Sequence, residues 1–467
     1  MGPTDATATW TTVALAQAVR TGTLSSRDLL ELYLDRIERL NPGVNAVITL
    51  DAARARQEAE RADDEAARGE WRGPLHGLPI TIKDAIEVGG IRATGGAREL
   101  AEHMPTVDAP SVARLKDAGA IVFGKTNAPR WSGDVQTFND LFGTTNNPWD
   151  PTRVPGGSSG GAAAAVAAGF TSFELGTDIG GSVRIPSHCC GVFGLKPSFG
   201  VISQRGYLDQ VGGGTTDADI NVFGPIARGA EDLDLLLGVL AGPEPDRALG
   251  WRLELPPVRK RDAADYRVGV WFDAPDMPID RDELAILRHA ADALADAGAR
   301  VEDAHPPVDF AEQRDLFHRM IMGAIAPSMD DATLAESVGG SHLAWLRNDR
   351  QRARLRSVWA RWFEDYDALL CPVLPVPAFP HDQDRDMMSR TITVNGVEEP
   401  YLVVTNWAGL IGVVGLPSAV PPVGRTPAGL PVGIQVVTPS LRDREAVHLA
   451  GIVAAVSGGG YDVPPGF

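Results

Sequence analysis

Basic charge, cysteine and long apolar runs are what this 467-residue chain has least of. Its 43 Lys and Arg stand against 61 Asp and Glu, a net charge of −18 at pH 7. An acidic excess of that size repels polyphosphates and anionic headgroups, so neither nucleic acid nor a membrane is expected as a partner. Only three cysteines occur, Cys189, Cys190 and Cys371. Chain neighbours are poorly placed to pair with each other, and the three lack metal-ligand spacing. Free thiols, no metal and a reduced interior are therefore expected. No apolar stretch approaches the roughly 20 residues that cross a bilayer. The opening Met-Gly-Pro-Thr-Asp-Ala-Thr has neither the basic nor the hydrophobic region of a secretory signal, which points to a cytoplasmic protein. Lysine is scarcer still: Lys83, Lys116, Lys125, Lys196 and Lys260 are the whole set.

What the chain does have is concentrated at residues 155–186, PGGSSGGAAAAVAAGFTSFELGTDIGGSVRIP. Ser158 and Ser159 lie between Gly156-Gly157 and Gly160-Gly161, and a nearly pure alanine helix follows over 162–168. A strand is expected over 171–175, then a second glycine-rich loop over 176–182 that ends on Ser182. Glycine lets backbone N–H groups turn toward a bound group with no Cβ in the way. A helix N-terminus beside the serine pair adds partial positive charge. The layout suits a nucleophilic hydroxyl with amide donors around a developing oxyanion.

Simpler readings fail on the flanks. Gly156-Gly-Ser-Ser-Gly160 fits the G-x-S-x-G nucleophile elbow, but that turn needs an apolar strand running into it. Asn-Asn-Pro-Trp-Asp-Pro-Thr-Arg-Val-Pro precedes Ser158 instead. A phosphate loop would continue with Gly-Lys-Ser/Thr, and none follows. A plain linker would not be tied to regular elements on both sides. The hydroxyl needs a base, yet neither loop holds a histidine, His188 lying beyond Pro186. A neutral lysine serves if burial lowers its pKa, which guanidinium cannot match. Lys83 closes the apolar run Leu78-Pro-Ile-Thr-Ile82 and is the candidate, with Lys125 as its competitor.

Three blocks carry a resemblance: Gly77-Leu-Pro-Ile-Thr-Ile-Lys-Asp84, Pro155-Gly-Gly-Ser-Ser-Gly-Gly161, and Gly176-Thr-Asp-Ile-Gly-Gly-Ser-Val-Arg-Ile-Pro186. In this order and at these separations they resemble the amidase signature family of serine hydrolases. Likeness runs from about residue 10 to the C-terminus and is weakest between 245 and 400. The resemblance implies a Ser–Ser–Lys triad: Ser182 as the acylated nucleophile, Ser158 as a bridging serine after a cis peptide bond, and Lys83 as base. It further implies an oxyanion hole from the amides of Ile179, Gly180, Gly181 and Ser182, and no cofactor. In such enzymes the region around 131–142 borders the acyl side of the pocket, so Trp131, Gly133 and Asp134 are candidate substrate contacts. The expected reaction is hydrolysis of a small to medium hydrophobic or aryl amide, with carbamates and esters as side substrates. Two alternatives stand beside it. One is the glutaminase component of a tRNA-dependent amidotransferase, which typically reads Ser-Asp-Thr where this chain has Thr177-Asp-Ile179. The other is a catalytically inactive binding protein on the same fold.

The remaining chain reads as a single large α/β/α domain, a central mixed β-sheet covered by helices. Residues 1–70 form an N-terminal helical layer, in which a helix opened by Ser25 and Asp28 stops at Asn41-Pro42, and a charged helix follows over 51–68. Residues 70–240 form the catalytic core, with strands at 78–82 and 121–123 around a helix at 110–118. Residues 245–400 are a largely helical cover with pocket loops, and residues 400–467 return to the sheet. Arg184 is read as a structural partner for Asp178. The polar excursion over 381–400 is a candidate lid. A homodimer is compatible with the chain but not required by it.

Overall fold

The computed structural model describes residues 4–467. Its N-terminal layer holds the helices Thr12–Arg20, Ser26–Val44 and Ala52–Ala67. Ser25 Oγ accepts from Asp28 N–H at 2.9 Å, and Leu29, Leu30, Tyr33 and Ile37 form the buried stripe that follows. The second helix does not stop at Asn41-Pro42. It runs on to Val44 and closes on Asn45, whose φ of 55° is left-handed. Pro42 falls in the last turn, so the one N–H bond it removes from the ladder lies at the helix end, and Asn41 Oδ1 caps the exit by accepting from Ala46 and Val47 N–H at 2.8 and 3.0 Å.

Two sheets position the site. The smaller has the order Val47–Leu50, Ile121–Thr126, Pro79–Lys83, and its last two strands are parallel with Lys83 opposite Thr126. The larger has nine strands. Its order is Arg300–Asp303, Arg267–Val270, Ala368–Pro372, Pro431–Val437, Ser418–Val420, Phe193–Lys196, Val222–Ala227, Glu174–Asp178, with Pro422–Arg425 also paired to Pro431–Val437. The first three run parallel and the others antiparallel, so the sheet is mixed and the chain is one α/β domain. The strand Glu174–Asp178 ends the large sheet and abuts the small one. Ser172 N–H donates to the Pro79 carbonyl at 3.4 Å, and Thr81 N–H to Thr171 Oγ1 at 2.9 Å. Lys83 is thereby delivered beside the loop that follows Asp178.

Two elements differ from expectation. The strand expected at 171–175 begins only at Glu174, because the Thr171 and Ser172 carbonyls accept from the buried Arg228 guanidinium instead of a ladder partner. Residues 406–414, read as rejoining the sheet, form the helix Asn406–Val414, and only Ser418–Val420 is a strand. A short, wholly apolar run has no periodicity to separate buried helix from buried strand. Over the sheet lie the helices Arg281–Asp296, Phe310–Ile325, Ala332–Gly339 and His342–Trp362. The last is arginine-rich yet buries Trp359 and Trp362, which makes its aromatic stripe packing.

One buried ion pair ties these layers together. The Arg184 guanidinium meets Asp178 through Nε–Oδ2 at 2.9 Å and Nη2–Oδ1 at 2.8 Å, both side chains fully buried. Its Nη1 donates to the Ala408 carbonyl and to Gln435 Oε1, each at 2.7 Å. Four elements, Glu174–Asp178, Arg184–Cys190, Asn406–Val414 and Pro431–Val437, converge on this group. A buried charge stripped of its partner is far costlier than the pair itself. Arg184→Met is expected to lower stability by about 3–5 kcal/mol, read from the urea midpoint of unfolding.

Candidate active site

The small sheet's edge and the two glycine-framed loops meet at Lys83. Its Nζ lies 2.6 Å from Ser158 Oγ and 2.8 Å from Thr177 Oγ1, and Lys83, Ser158 and Thr177 are all buried. Among the described residues no carboxylate pairs with it. Burial disfavours the ammonium and outweighs the more distant charges of Asp178 and Glu174, so the pKa falls to about 7. Lys125 is also buried, but its Nζ turns to the Ile86 carbonyl and approaches neither serine loop. Thr177 is a member of this group that sequence reasoning did not single out. Its place two residues before Ile179 in the third block was the available signal.

The peptide bond Gly157–Ser158 is cis. The turn around it is too crowded for side chains. A Cβ on Gly156 (φ 78°) would sit 2.9 Å from Pro186 Cα, and one on Gly157 would sit 2.7 Å from the Asp134 carbonyl oxygen. Ser159 is structural. Its N–H donates to the Ser182 carbonyl at 3.1 Å, and its hydroxyl bridges the Thr177 backbone, accepting from N–H at 3.3 Å and donating to the carbonyl at 3.2 Å. The pair therefore divides its work: Ser158 faces the lysine and Ser159 staples one loop to the other.

Ser182, 9% exposed, is the most accessible of the three candidate triad residues, and among the described residues its hydroxyl has no hydrogen-bond partner. The loop that carries it is shaped by Asp178. That carboxylate accepts from Gly181 N–H at 2.9 Å, Val183 N–H at 3.1 Å and Arg184 N–H at 3.3 Å. Burial would raise the Asp178 pKa, but the Arg184 charge and these donors hold it at about 2. This bears on the four amides expected to form an oxyanion hole. Gly181 N–H is occupied by Asp178, so the amides of Ile179, Gly180 and Ser182 are the ones without an acceptor among the described residues. Above them, Phe317 and Ile321 of the helix Phe310–Ile325 close over Gly180, where an added Cβ would lie 3.3 and 3.2 Å from their side chains.

The three candidate pocket residues separate by role. The Trp131 ring edge packs on Gly95, with φ of 52° in the left-handed region. Gly133 is exposed. Asp134 spends its carboxylate on Arg390 Nη1 at 2.6 Å and the Tyr401 hydroxyl at 2.7 Å, while its backbone presses against Gly157. Asp134 thus anchors the excursion over 381–400, which includes the hairpin Thr391–Val394 with Val397–Pro400, rather than offering a free carboxylate. A cleft of about 760 Å³ between residues 209–219 and the helix Phe310–Ile325 is lined by Asp209, His318, Met320, Met322 and Trp345. None of the reactive side chains lines it, but its helical wall is the one that covers Gly180. Among the described residues no cluster of His, Cys, Asp and Glu is arranged to hold a metal ion, and no helix is long and apolar enough to cross a membrane.

The Amidase family model matches residues 28–326 and 318–447. The chain is 34% identical over 469 residues to an indoleacetamide hydrolase of Bradyrhizobium diazoefficiens, covering 95% of this chain and 86% of that protein. It is 33% identical over 466 residues to a glutamyl-tRNA(Gln) amidotransferase component from a Roseiflexus species, covering 90% and 91%. Among solved structures, a bacterial aryl acylamidase of the amidase signature family superposes with a TM-score of 0.84 at 25% identity, covering 98% of this chain and 99% of that one. A mixed-sheet core with a buried lysine set against two glycine-framed serine loops, matched along nearly its whole length, makes this chain a member of the amidase family of amide-hydrolysing enzymes.

Proposed function

We propose that this enzyme hydrolyses small hydrophobic or aryl carboxylic amides, with Ser182 as nucleophile, Ser158 as proton bridge and Lys83 as general base. The observation that carries the proposal is a buried lysine with no carboxylate partner, 2.6 Å from a serine hydroxyl. With its pKa at about 7, Lys83 is largely a free amine above neutral pH and has a lone pair to offer. Ser158 Oγ gives its proton to Lys83 Nζ and takes one from Ser182 Oγ, which attacks the amide carbon. The tetrahedral oxyanion is held by the free amides of Ile179, Gly180 and Ser182. Lys83 returns the proton through Ser158 to the leaving nitrogen, and the C–N bond breaks to release an amine. Water then attacks the acyl-Ser182 ester by the same relay, giving the carboxylic acid and restoring Ser182.

Substrate class is supported by what surrounds the loop. Phe317 and Ile321 present apolar surface at Gly180, and the indoleacetamide hydrolase and aryl acylamidase to which the chain is similar act on arylated amides by name. The amidotransferase reading has its own support in the 33% identity to the Roseiflexus protein. Ile179, where such glutaminase components typically carry threonine, argues for a self-sufficient hydrolase acting without partner chains. Three buried free thiols support a cytoplasmic location.

Three outcomes test the proposal. Ser182→Ala should lose about three to six orders of magnitude in kcat and no longer take a fluorophosphonate label. Undiminished turnover would end the assignment. Because the charged form of Lys83 is inactive, wild-type kcat/KM should fall as pH drops through about 7 and level off above it, and Lys83→Met should abolish turnover across the range. The purified chain alone should cleave aryl amides without preferring glutamine, and strict glutamine dependence would favour the amidotransferase reading.

A further inference from the structure

The cleft of about 760 Å³ beside the reactive loops holds a carboxyl that nothing in the protein satisfies. Asp209 is half-buried in its wall, and its Oδ1 is sealed from solvent without a hydrogen-bond partner. Among the described residues no basic side chain pairs with it. The turn beyond leaves that oxygen room. A Cβ on Gly213 would collide with Asp209 Oδ1, and Gly206 N–H closes the loop on the Gly214 carbonyl at 2.8 Å. Backbone pairing brings this loop to the reactive centre. Tyr207 lies opposite Ile86 in an antiparallel bridge, where Glu87 N–H donates to the Gly206 carbonyl at 2.9 Å and Leu208 N–H to the Ala85 carbonyl at 2.8 Å. Antiparallel partners run in opposite directions, so Asp209 follows Leu208 toward the Lys83 end of that segment. The facing wall is the helix Phe310–Ile325, whose Phe317 and Ile321 close over Gly180. The cleft therefore opens between the chain that leaves Lys83 and the helix that covers the second serine loop.

We propose that this cleft receives the far end of the substrate, and that Asp209 selects amides carrying a protonated amine there. This deepens the hydrolase reading and rests on Ser182 being the nucleophile. A carboxylate drawn partly out of water without a partner keeps its desolvation cost, and a bound ammonium supplies both the missing donor and the countercharge. The other charged and polar groups of the cleft are already committed. Asp219 accepts from Trp345 Nε1 and from Arg352 Nη2, the latter at 3.1 Å. Arg319 is turned to Asn348 and Gln351 at 3.1 and 2.9 Å, and Arg205 is paired with Glu244 and Asp246. His318 Nε2 lies 3.0 Å from Asn406 Oδ1, and burial lowers its pKa, so the ring adds no charge. Asp217 is exposed at the rim and has the same sign as Asp209. Met320 and Met322 offer an adaptable apolar wall for the chain between the scissile amide and the amine.

The test is turnover of two matched pairs of amides by the full chain. The first pair is the para-nitroanilides of hexanoic and δ-aminovaleric acid, which differ by a terminal methyl against an ammonium. The second is para-propylacetanilide and para-(aminoethyl)acetanilide, which place the same difference on the leaving amine. In at least one pair the ammonium-bearing amide should have a kcat/KM about tenfold higher, with the gain in KM. Asp209→Asn should bring that ratio to about one, and Asp209→Lys should invert it. Equal kcat/KM within both pairs in wild type, or a ratio that survives in Asp209→Asn, overturns the inference. Turnover that persists in Ser182→Ala would instead sink the hydrolase reading on which it rests, so the two failures are distinguishable.

Discussion

A buried lysine amine with no carboxylate paired to it among the described residues is the constraint on which this structure turns. Lysine in water is an acid several units too weak to lose its proton near neutrality. Sealing Lys83 between two strands and a helix of small residues removes the hydration that favours the ammonium, and no carboxylate is brought close enough to restore it. What remains is a nitrogen whose neighbours are hydroxyls, Ser158 on one side and Thr177 on the other. Hydroxyls satisfy the amine in either protonation state and so leave its basicity for chemistry. The scarcity of lysine elsewhere in the chain, against many arginines, fits a residue kept for a proton that guanidinium would not release.

The same region contains the opposite electrostatic solution. Asp178 and Arg184 are as buried as Lys83, yet they are fully paired, and the pairing keeps the Asp178 carboxylate ionised. Their work is geometric. The carboxylate gathers the N–H groups of Gly181, Val183 and Arg184, and this bends the loop so that other amides are left free beside Ser182. Burial alone weakens the lysine's hold on its proton, whereas pairing keeps the Asp178 carboxylate ionised, although both groups lie at the same loop.

Around these groups the fold provides rigidity rather than reach. The reactive loops are pinned from both sides, Ser159 joining them to each other and Asp134 joining the first to Arg390 and Tyr401. Phe317 and Ile321 bring a later helix over Gly180, so the walls around the second serine loop come from residues more than a hundred positions apart.

The blocks around Lys83, Ser158 and Ser182 were legible as chemistry in the sequence, because glycine spacing, an apolar strand and a base-free serine loop are local properties. So were most helices, since capping residues such as Ser25 and Asp51 act within a turn of themselves. Other features depended on partners that are remote along the chain. The late start of Glu174–Asp178 follows from Arg228, the helix at Asn406–Val414 from burial on every side, and the engagement of Gly181 N–H from the Asp178 carboxylate. The commitment of the Asp134 carboxylate to Arg390 and Tyr401 is of the same kind. The sequence by itself determined which side chains are candidates to react. Tertiary structure decided which of them lost their water, which found a countercharge and which amides stayed free, because desolvation and pairing are set by what packs nearby in space.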